Sequence, residues 1–371
     1  MRTPFCDLVG VDFPVAAFSH CRDVVAAVTN AGGLGVLGAS SHTPEQLEHE
    51  LAWIDAQVGS RPYGVDLVVP DHLAAPVPGV EDLLAGVPPE HQDFVTDLVA
   101  ELDEASAGRW RECVSAPLVT PEMGEELLEV AMRHPVRLVA NALGVPSASM
   151  IDRARTAGVP VAALVGAREH AVKQVRAGVD LVVAQGTEAG GHCGEVSTMV
   201  LVPEVVAALE GSGVPVLAAG GIVTGSQVAA AVAMGAAGAW TGSVWLTTPE
   251  AETAPHTVQK LIRAGSRDTV RSRSRTGKPS RQLRSTWTEA WDAPTSPGAL
   301  PMPLQGLISR AVLPMVDQLA GAGHPGAQEM ATYWVGQGVG LMDRMRPTRE
   351  VVRGMIEDYV AATDRLTETL T

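Results

Sequence analysis

The sequence is poor in cysteine, in aromatic residues and in charge, and each shortage argues against a class of protein. The cysteines form no CxxC pair and no zinc-like spacing with histidine, so we expect reduced thiols and no metal site. Aromatic residues make up only 4% of the chain, whereas 38 glycines and many alanines and valines favour helices packed on strands over an all-β sandwich. With 46% apolar and 19% charged residues, the composition is typical of a globular protein with a large core. The four cysteines are Cys6, Cys21, Cys113 and Cys193.

Long hydrophobic runs and an excess of positive charge are also missing. No stretch approaches the ~18 uninterrupted apolar residues of a membrane span. The start, MRTPFCDLVGVDFPVAAF, lacks the continuous apolar core of a signal peptide, so we expect a cytoplasmic protein with no membrane partner. Because 27 Lys+Arg stand against 42 Asp+Glu, the formal charge is -15, which argues against a nucleic-acid partner.

Short Val/Ala/Leu-rich runs alternate with helix-like segments, the pattern of βα units around a buried parallel sheet. The predicted strands are 14–18, 34–38, 64–69, 136–141, 160–165, 179–184, 215–219 and 238–244. The helices predicted between them are 21–30, 44–58, 147–156, 168–176, 203–210 and 226–234. Eight strands alternating with helices favour an α/β fold of the (β/α)8 TIM barrel type, with a doubly wound open sheet as the alternative.

Two stretches interrupt the repeat. The first is rich in proline and acidic residues, contains one helical segment at 91–105, and follows the third strand as an insertion. The second runs through a basic segment, a Pro/Gly/Ser-rich loop and helices before a last amphipathic helix at 348–366, so we expect a cap region there. The predicted organisation is a barrel of residues 1–249 plus 346–371 that carries the insertion 70–121, and a cap of residues 250–345.

The basic segment of the cap, RDTVRSRSRTGKPSRQLR, reverses the sign of an otherwise acidic chain. Such charge runs are usually solvated or paired with acidic helices. The alternative is a docking surface for an anionic substrate, cofactor or partner, although the aromatic residues needed for single-stranded nucleic acid are absent. Its cations are Arg267, Arg271, Arg273, Arg275, Lys278, Arg281 and Arg284, against the single acid Asp268.

A formal G-x-G-x-x-G match at residues 33–38 does not predict a dinucleotide site. That fingerprint needs a strand before it and a helix after it, so that the pyrophosphate meets a helix N-terminus. Here a helix precedes the glycines and the match itself supplies the strand.

Two glycine-rich turns follow the last two predicted strands. Gly220 and Gly221 come after the seventh strand, and Gly242 and Ser243 come at the end of the eighth. On a barrel, main-chain N–H groups at these positions commonly bind a phosphate, and a Cβ would hold the phosphate away. The alternative is a pair of ordinary tight turns.

The most informative string is GVDLVVAQGTEAGGHCG, in which a buried strand runs into a polar loop. The loop offers the amide of Gln185, the unhindered main chain of Gly186, Gly190 and Gly191, and the imidazole of His192. These groups can hold the edge of a planar cofactor and aim a base at its face. A structural histidine is the alternative.

Together, AQGTEAGGHCG, PVLAAGGI, GAAGAWTGS and VVAAVTNAGGLGVLGA resemble the nitronate monooxygenase family, formerly called 2-nitropropane dioxygenases. The resemblance covers about residues 8–69 and 136–250 well and is weaker in the cap, where RSRSRTGKPSRQLR and GQGVG look family-like. Members are FMN-dependent TIM-barrel enzymes, and the superfamily includes FMN-dependent enoyl-thioester reductases.

The resemblance implies a role for each matching residue. His192 matches the catalytic histidine, and the other matches bind FMN. Residues 17–20 replace the family's Met/Gln/Gly-rich turn, and Asp66 stands where many members have Asn, which turns an amide donor into an acceptor. The implied FMN-binding residues are Ala17, Phe18, Ser19, Asp66, Gln185, Gly186, Gly190, Gly191, Gly220, Gly221, Gly242 and Ser243, with His20 toward the substrate.

The implied activity is the oxidation of a small alkyl nitronate by O₂ to a carbonyl compound and nitrite. One alternative is an NAD(P)H-dependent enoyl-thioester reductase, in which the basic cap would steer a phosphopantetheine arm. A second alternative is a flavin-binding sensor or scaffold without catalysis. A homodimer is compatible with each of them.

Overall fold

The computed structural model describes residues 1–69, 79–114 and 120–370. Eight parallel strands pair in chain order, and the first pairs with the last to close a barrel. The prediction of a (β/α)8 TIM barrel is confirmed, and the open-sheet alternative is wrong. The strands are β1 (Val15–Ser19), β2 (Leu34–Gly38), β3 (Tyr63–Leu67), β4 (Leu138–Asn141), β5 (Val161–Val165), β6 (Leu181–Gln185), β7 (Val216–Ala219) and β8 (Gly238–Thr241), followed by β9 (Thr269–Ser272) and β10 (Ser280–Leu283) outside the barrel.

Helices cover the barrel and build the two additional regions. They are α1 (Pro4–Val9), α2 (Arg22–Asn30), α3 (Pro44–Val58), α4 (Val80–Ala85), α5 (Pro89–Ala100), α6 (Pro121–Ala131), α7 (Ala148–Ala157), α8 (Arg168–Arg176), α9 (Thr198–Ala208), α10 (Gly225–Ala233), α11 (Pro255–Arg263), α12 (Thr286–Asp292), α13 (Leu304–Gly321), α14 (Pro325–Met330) and α15 (Thr348–Glu368). Short 3₁₀ helices are Glu104–Ser106, Arg109–Cys113, Ser243–Thr247, Ser266–Asp268 and Gln337–Leu341.

The barrel strands are apolar throughout because both of their faces are buried. Along β1, Ala16 and Phe18 pack with residues of the other strands inside the barrel, whereas Val15 and Ala17 pack against the surrounding helices. Successive side chains of a strand point to opposite faces, so one run of small apolar residues serves both cores. This explains why the runs in the sequence located the strands.

Many element boundaries differ from the sequence-based prediction by one or two residues, and two of the larger differences have a visible cause. Strand β8 ends at Thr241, not at residue 244, because the chain turns at Gly242 into a 3₁₀ helix. Helix α9 begins at Thr198, five residues before the predicted start at Pro203, which lies inside the helix. The carboxylate of Glu188 accepts a hydrogen bond from the main-chain N–H of Thr198 at 2.9 Å and so holds the true N-terminus. That acceptor lies ten residues earlier in the loop between β6 and α9, so the helical pattern alone did not show it.

The additional regions share a hydrophobic core of their own. It joins Val95 and Leu98 of α5 and Trp110 of the insertion to Trp287 and Trp291 of α12, with many residues of α13. His91 of α5 donates a hydrogen bond from Nε2 to the carbonyl of Gly298 at 3.0 Å, because a carbonyl can only accept. We call this cluster the second core. Both ends of the predicted insertion, 70–78 and 115–119, lie outside the described residues, and the proposed domain limits remain a prediction.

Helices α10 and α15 touch so closely at Gly225 that no side chain fits between them. A Cβ added there would overlap the carbonyl oxygen of Met355 and crowd the main-chain nitrogen of Tyr359. We expect Gly225→Ala to lower the free energy of unfolding by at least about 2 kcal/mol, because backbone cannot move aside cheaply. Urea denaturation measures the loss. Gly211→Ala, at a glycine whose added Cβ meets no atom within 4 Å but whose φ is 78°, separates backbone strain from this overlap.

In the described part of the chain, no helix has both the length and the apolar character needed to cross a bilayer. Among the same residues, no group of three or more His, Cys, Asp and Glu side chains is arranged to hold a metal ion.

Candidate functional site

The floor of the candidate site is formed by inward-facing side chains at the carboxyl ends of the strands. By the alternation described above, these are Phe18, Asp66, Leu164, Gln185 and Trp240. The rings of Phe18 and Trp240 are nearly parallel, with centroids 6.3 Å apart. In a TIM barrel this end carries the active site. The floor is therefore mainly flat and apolar, with two polar side chains in it.

The loop after β1 contributes His20. Its Nδ1–H donates to the carbonyl of Gly38 at 2.9 Å, and its ring meets Phe18 edge-on at 5.1 Å. Gly38 has no room for a side chain, since a Cβ would come within 2.8 Å of both rings. Solvent reaches part of the His20 imidazole, but the surrounding protein removes water from the rest of the ring and so lowers its pKa. The neutral ring thus keeps a free Nε2 at the mouth.

Ala17 and Ser19, which precede His20, contribute differently from what the sequence implied. Ala17 is fully buried against the helix layer, so only its main chain is available to a cofactor. The Ser19 hydroxyl accepts a hydrogen bond from the N–H of Cys21 at 3.1 Å. Its first role is therefore to hold the turn.

Asp66 is a buried carboxyl group whose Oδ1 has no hydrogen-bond partner within the described structure. Burial alone raises its pKa well above the ordinary value, because no cation faces it to stabilise the charged form. The sequence suggested that aspartate here offers only acceptors. Retention of the proton instead keeps one O–H donor at this position, as an asparagine amide would.

The loop after β6 is held by main-chain contacts to the cap. Gly191 exchanges two hydrogen bonds with Arg281, its N–H donating at 2.9 Å and its carbonyl accepting at 2.8 Å. Gly190 lies against Val335, where a Cβ would come within 2.9 Å of main-chain atoms. The N–H of Gly186 is donated to Ala219. The N–H groups of Gly186 and Gly191 are thus already used. Gly186 allows the close approach of Thr198, whereas Gly191 has a φ of 76°, a conformation that favours glycine.

His192 projects from this loop with one nitrogen fixed. Its Nδ1 lies 3.3 Å from the carbonyl of Pro279, and since a carbonyl only accepts, Nδ1 carries the proton. Its Nε2 is then the free lone pair. Partial burial and the nearby charge of Lys278 lower the pKa of the imidazole, which favours the neutral form at pH 7. The arrangement suits a general base.

The side wall next to His192 is an indole that sequence reasoning missed. The Trp334 ring centroid lies 6.4 Å from that of His192, and the guanidinium carbon of Arg275 lies 4.5 Å above the same indole. Trp334 is 37% exposed and its Nε1–H donates to Ser280. GQGVG was noted as family-like, but nothing in the sequence placed the preceding tryptophan near a histidine 142 positions earlier.

Gly220, Gly221 and Gly242 offer three main-chain N–H groups for which the described structure supplies no acceptor. Gly220 and Gly221 have φ of 108° and 72°, a conformation that favours glycine, and a Cβ on Gly242 would meet nothing within 4 Å. The Ser243 hydroxyl accepts from the N–H of Gly336 at 2.8 Å, which ties the turn to the cap. Open space and free donors at two adjacent strand ends fit an anion such as a phosphate.

A cavity lies behind this turn and not at the mouth. It has a volume of about 300 Å³ and is lined mainly by apolar residues, among them Met199, Met234 and Leu341. It shares Gly220 and Gly221 with the candidate phosphate site but does not include His192. We therefore place the chemistry at the barrel mouth.

The residues at the mouth fit a flavin mononucleotide. A flat floor suits a planar ring, the unpartnered Asp66 carboxyl suits its polar edge, and the free amides of Gly220, Gly221 and Gly242 suit its phosphate. His192 lies at the rim where it can reach a substrate above such a ring. The strand topology places the residues named from the sequence at the carboxyl ends of the strands or in the loops that follow, and their roles remain a prediction.

Several known proteins are similar to this chain. A family model described as nitronate monooxygenase matches residues 5–358. A protein of Mycobacterium tuberculosis named as a monooxygenase, with no substrate in its name, is 51% identical over 371 residues, 99% of this chain and 98% of its own. The solved structure of a nitroalkane oxidase from Streptomyces ansochromogenes has a TM-score of 0.79 and 26% identity, and covers 98% of this chain and 100% of its own.

A further relative from Mycobacterium tuberculosis has a different kind of name. It is a dehydrogenase of a 5-hydroxy-7a-methyl-1-oxo-octahydroindene-4-carboxyl-CoA, and it is 30% identical over 293 residues, which cover 78% of this chain and 68% of its own. Similarity at this level thus includes proteins named for nitro compounds and for a CoA thioester.

Proposed function

Because the chain belongs to the nitronate monooxygenase family and is thus an oxidoreductase, we propose that it binds FMN and oxidises alkyl nitronates with O₂ to a carbonyl compound and nitrite. The observation that carries this proposal is His192, whose Nδ1 is anchored on Pro279 and whose Nε2 is left free at the mouth. The family's enzymes are flavin-dependent. An oxidoreductase does not fit the alternative of a sensor without catalysis.

Each part of the site has a task in this reaction. Bound FMN would supply the electron transfer between nitronate and O₂. The N–H groups of Gly220, Gly221 and Gly242 would hold the phosphate. His192 Nε2 would take the α-proton of a neutral nitroalkane, or hold an anionic nitronate when protonated. Trp334 covers one side of His192 and limits the access of water.

Anaerobic mixing with ethyl nitronate tests the activity. We expect the bound flavin to lose its oxidised absorption without O₂, and nitrite to appear when air is admitted. A flavin that stays oxidised, with no nitrite, would overturn the assignment. The cofactor is tested separately, since riboflavin should bind at least about 100-fold more weakly than FMN if two or more free amides hold the phosphate.

A second candidate is the NAD(P)H-dependent reduction of an enoyl thioester, favoured by the relative named for a carboxyl-CoA substrate. Rapid bleaching of the flavin by NADPH or NADH, followed by reoxidation with an enoyl-CoA, would support it. The same spectra recorded with a nitronate decide between the two. A homodimer and a cytoplasmic location stay predictions, and light scattering of the purified protein measures the first.

A further inference from the structure

The basic segment of the cap forms the antiparallel pair β9–β10, and three of its seven cations have hydrogen-bond partners nearby. Arg281 donates to the carbonyl of Thr187 at 2.8 Å and to the hydroxyl of Thr269 at 3.1 Å. Arg271 donates to the carbonyl of Cys193 at 3.5 Å, and Arg273 to that of Gly277 at 2.8 Å. Acidic helices therefore do not pair with these three cations, whereas Arg267, Lys278 and Arg284 are exposed.

Arg275 is half-buried but lacks such a partner. In the described structure its guanidinium makes no hydrogen bond and has no carboxylate within 4.0 Å, and it lies on the face of Trp334. Asp317 acts on it only at longer range, and the Oδ1 of that carboxylate faces His256 Nε2 at 3.4 Å. Burial lowers the pKa of Arg275 to about 10, so it remains a cation at neutral pH while partly stripped of water. An unpaired, desolvated cation is costly unless an anion completes it.

The main chain holds Arg275 in place. The hydroxyl of Ser309 on α13 donates to its carbonyl, and Gln305 on the same helix donates to the carbonyl of Ser274 at 2.7 Å. The phenol of Tyr333 is close enough for the cation to lower its pKa, although burial raises that pKa overall. The indole of Trp334 then borders both this cation and the ring of His192.

We propose that Arg275, which stacks on Trp334, binds the negatively charged nitronate group of the substrate. Through this contact the site selects the anionic nitronate over the neutral nitroalkane. The inference rests on the proposed function, since it names the form of the substrate that the same site takes. A guanidinium has a planar fork of N–H donors that matches a planar two-oxygen anion, and a lysine does not. Arg275 is in this view a specificity-determining residue beside the base His192.

The test uses propionate and its neutral counterpart propionamide. Propionate is an unreactive anion whose two oxygens lie in a plane around one atom, as in a nitronate. Calorimetric titration of the flavin-loaded protein should show propionate binding about 10- to 100-fold more tightly than propionamide, the range for one charge-assisted contact. Arg275→Met should abolish this preference, and Arg275→Lys should retain only part of it. Arg267→Met, which removes an exposed cation of the same segment, should leave the preference unchanged.

Several results would overturn the proposal. One is equal binding of the two ligands by the unaltered protein, and another is an Arg275→Met variant that keeps the preference. If Arg275→Met melts without a folded baseline, Arg275→Gln carries the same comparison. If the variant instead loses its preference for FMN over riboflavin, the cation serves the cofactor phosphate and the substrate role is wrong. Because propionate is not oxidised, this result is independent of whether the protein releases nitrite from nitronates.

Discussion

Replacement of His192 by alanine is expected to reduce kcat/KM for a neutral nitroalkane by about 10²- to 10⁴-fold, the usual contribution of a positioned general base. The same variant should lose much less activity with a nitronate prepared in alkali, because that substrate has already given up its α-proton. Nitrite release measured with both forms of one compound, for example nitroethane and ethyl nitronate, gives the two values. Equal losses for both substrates would contradict a role in proton abstraction.

His170→Ala is the matched control, because it removes an exposed histidine from the surface of α8. It should leave both rates unchanged. The pH profile gives a second check. Burial lowers the pKa of His192 below the ordinary value of about 6.5, and the neutral form is the base, so kcat/KM for nitroethane should rise with pH through a midpoint below about 6.5 and then level off.

At alkaline pH, the apoprotein of the Asp66→Asn variant is expected to be more stable than the unaltered apoprotein. The raised pKa of Asp66 means that the folded protein holds a proton which the unfolded chain releases above about pH 4. Between that pH and the folded pKa, stability therefore falls as pH rises, by up to about 1.4 kcal/mol per pH unit. Asparagine is nearly isosteric and has no proton to lose, so it removes this dependence.

Urea denaturation of the two proteins at several pH values from 5.5 to 8.5 measures the effect. The stability difference should grow in favour of Asp66→Asn as pH increases. Asp364→Asn, an exposed change on α15, controls for the loss of one negative charge and should show no such trend. Parallel pH curves for Asp66→Asn and the unaltered protein would mean that Asp66 is ionised in the fold and has a partner that the structure does not show.

The sequence carried most of the information about the barrel because each strand is buried on both faces and reads as one apolar run. Helices α3 and α8 were predicted at their observed boundaries, 44–58 and 168–176. The larger errors arose where a side chain or turn outside the periodic pattern decides a boundary. Helix α9 starts where Glu188, ten residues earlier in the preceding loop, accepts from Thr198, and the helical pattern does not report that acceptor.

The candidate site divides in the same way. Gly220, Gly221, Gly242 and His192 stand at strand ends, so topology alone brings them together once the barrel is predicted. The hydrogen bond from His192 to Pro279 and the stacking of Arg275 on Trp334 join residues far apart in the chain. A run of cations in the sequence also does not show the surroundings of each member. It looks the same whether a cation is solvated, bonded to a carbonyl as Arg281 is, or left without a hydrogen-bond partner as Arg275 is.

The second core has a consequence for the order in which the protein assembles during synthesis. Its residues leave the ribosome in two batches, one before β4 and the other after β8, so it cannot close until the strands of the barrel have all emerged. Arg275, which stacks on the Trp334 next to His192, is attached to that late structure. Helix α13 donates hydrogen bonds to the carbonyls of Ser274 and Arg275 in the turn between β9 and β10. We therefore expect that, during synthesis, the mouth of the barrel is open on this side when the cofactor enters, and that the cap covers it afterwards.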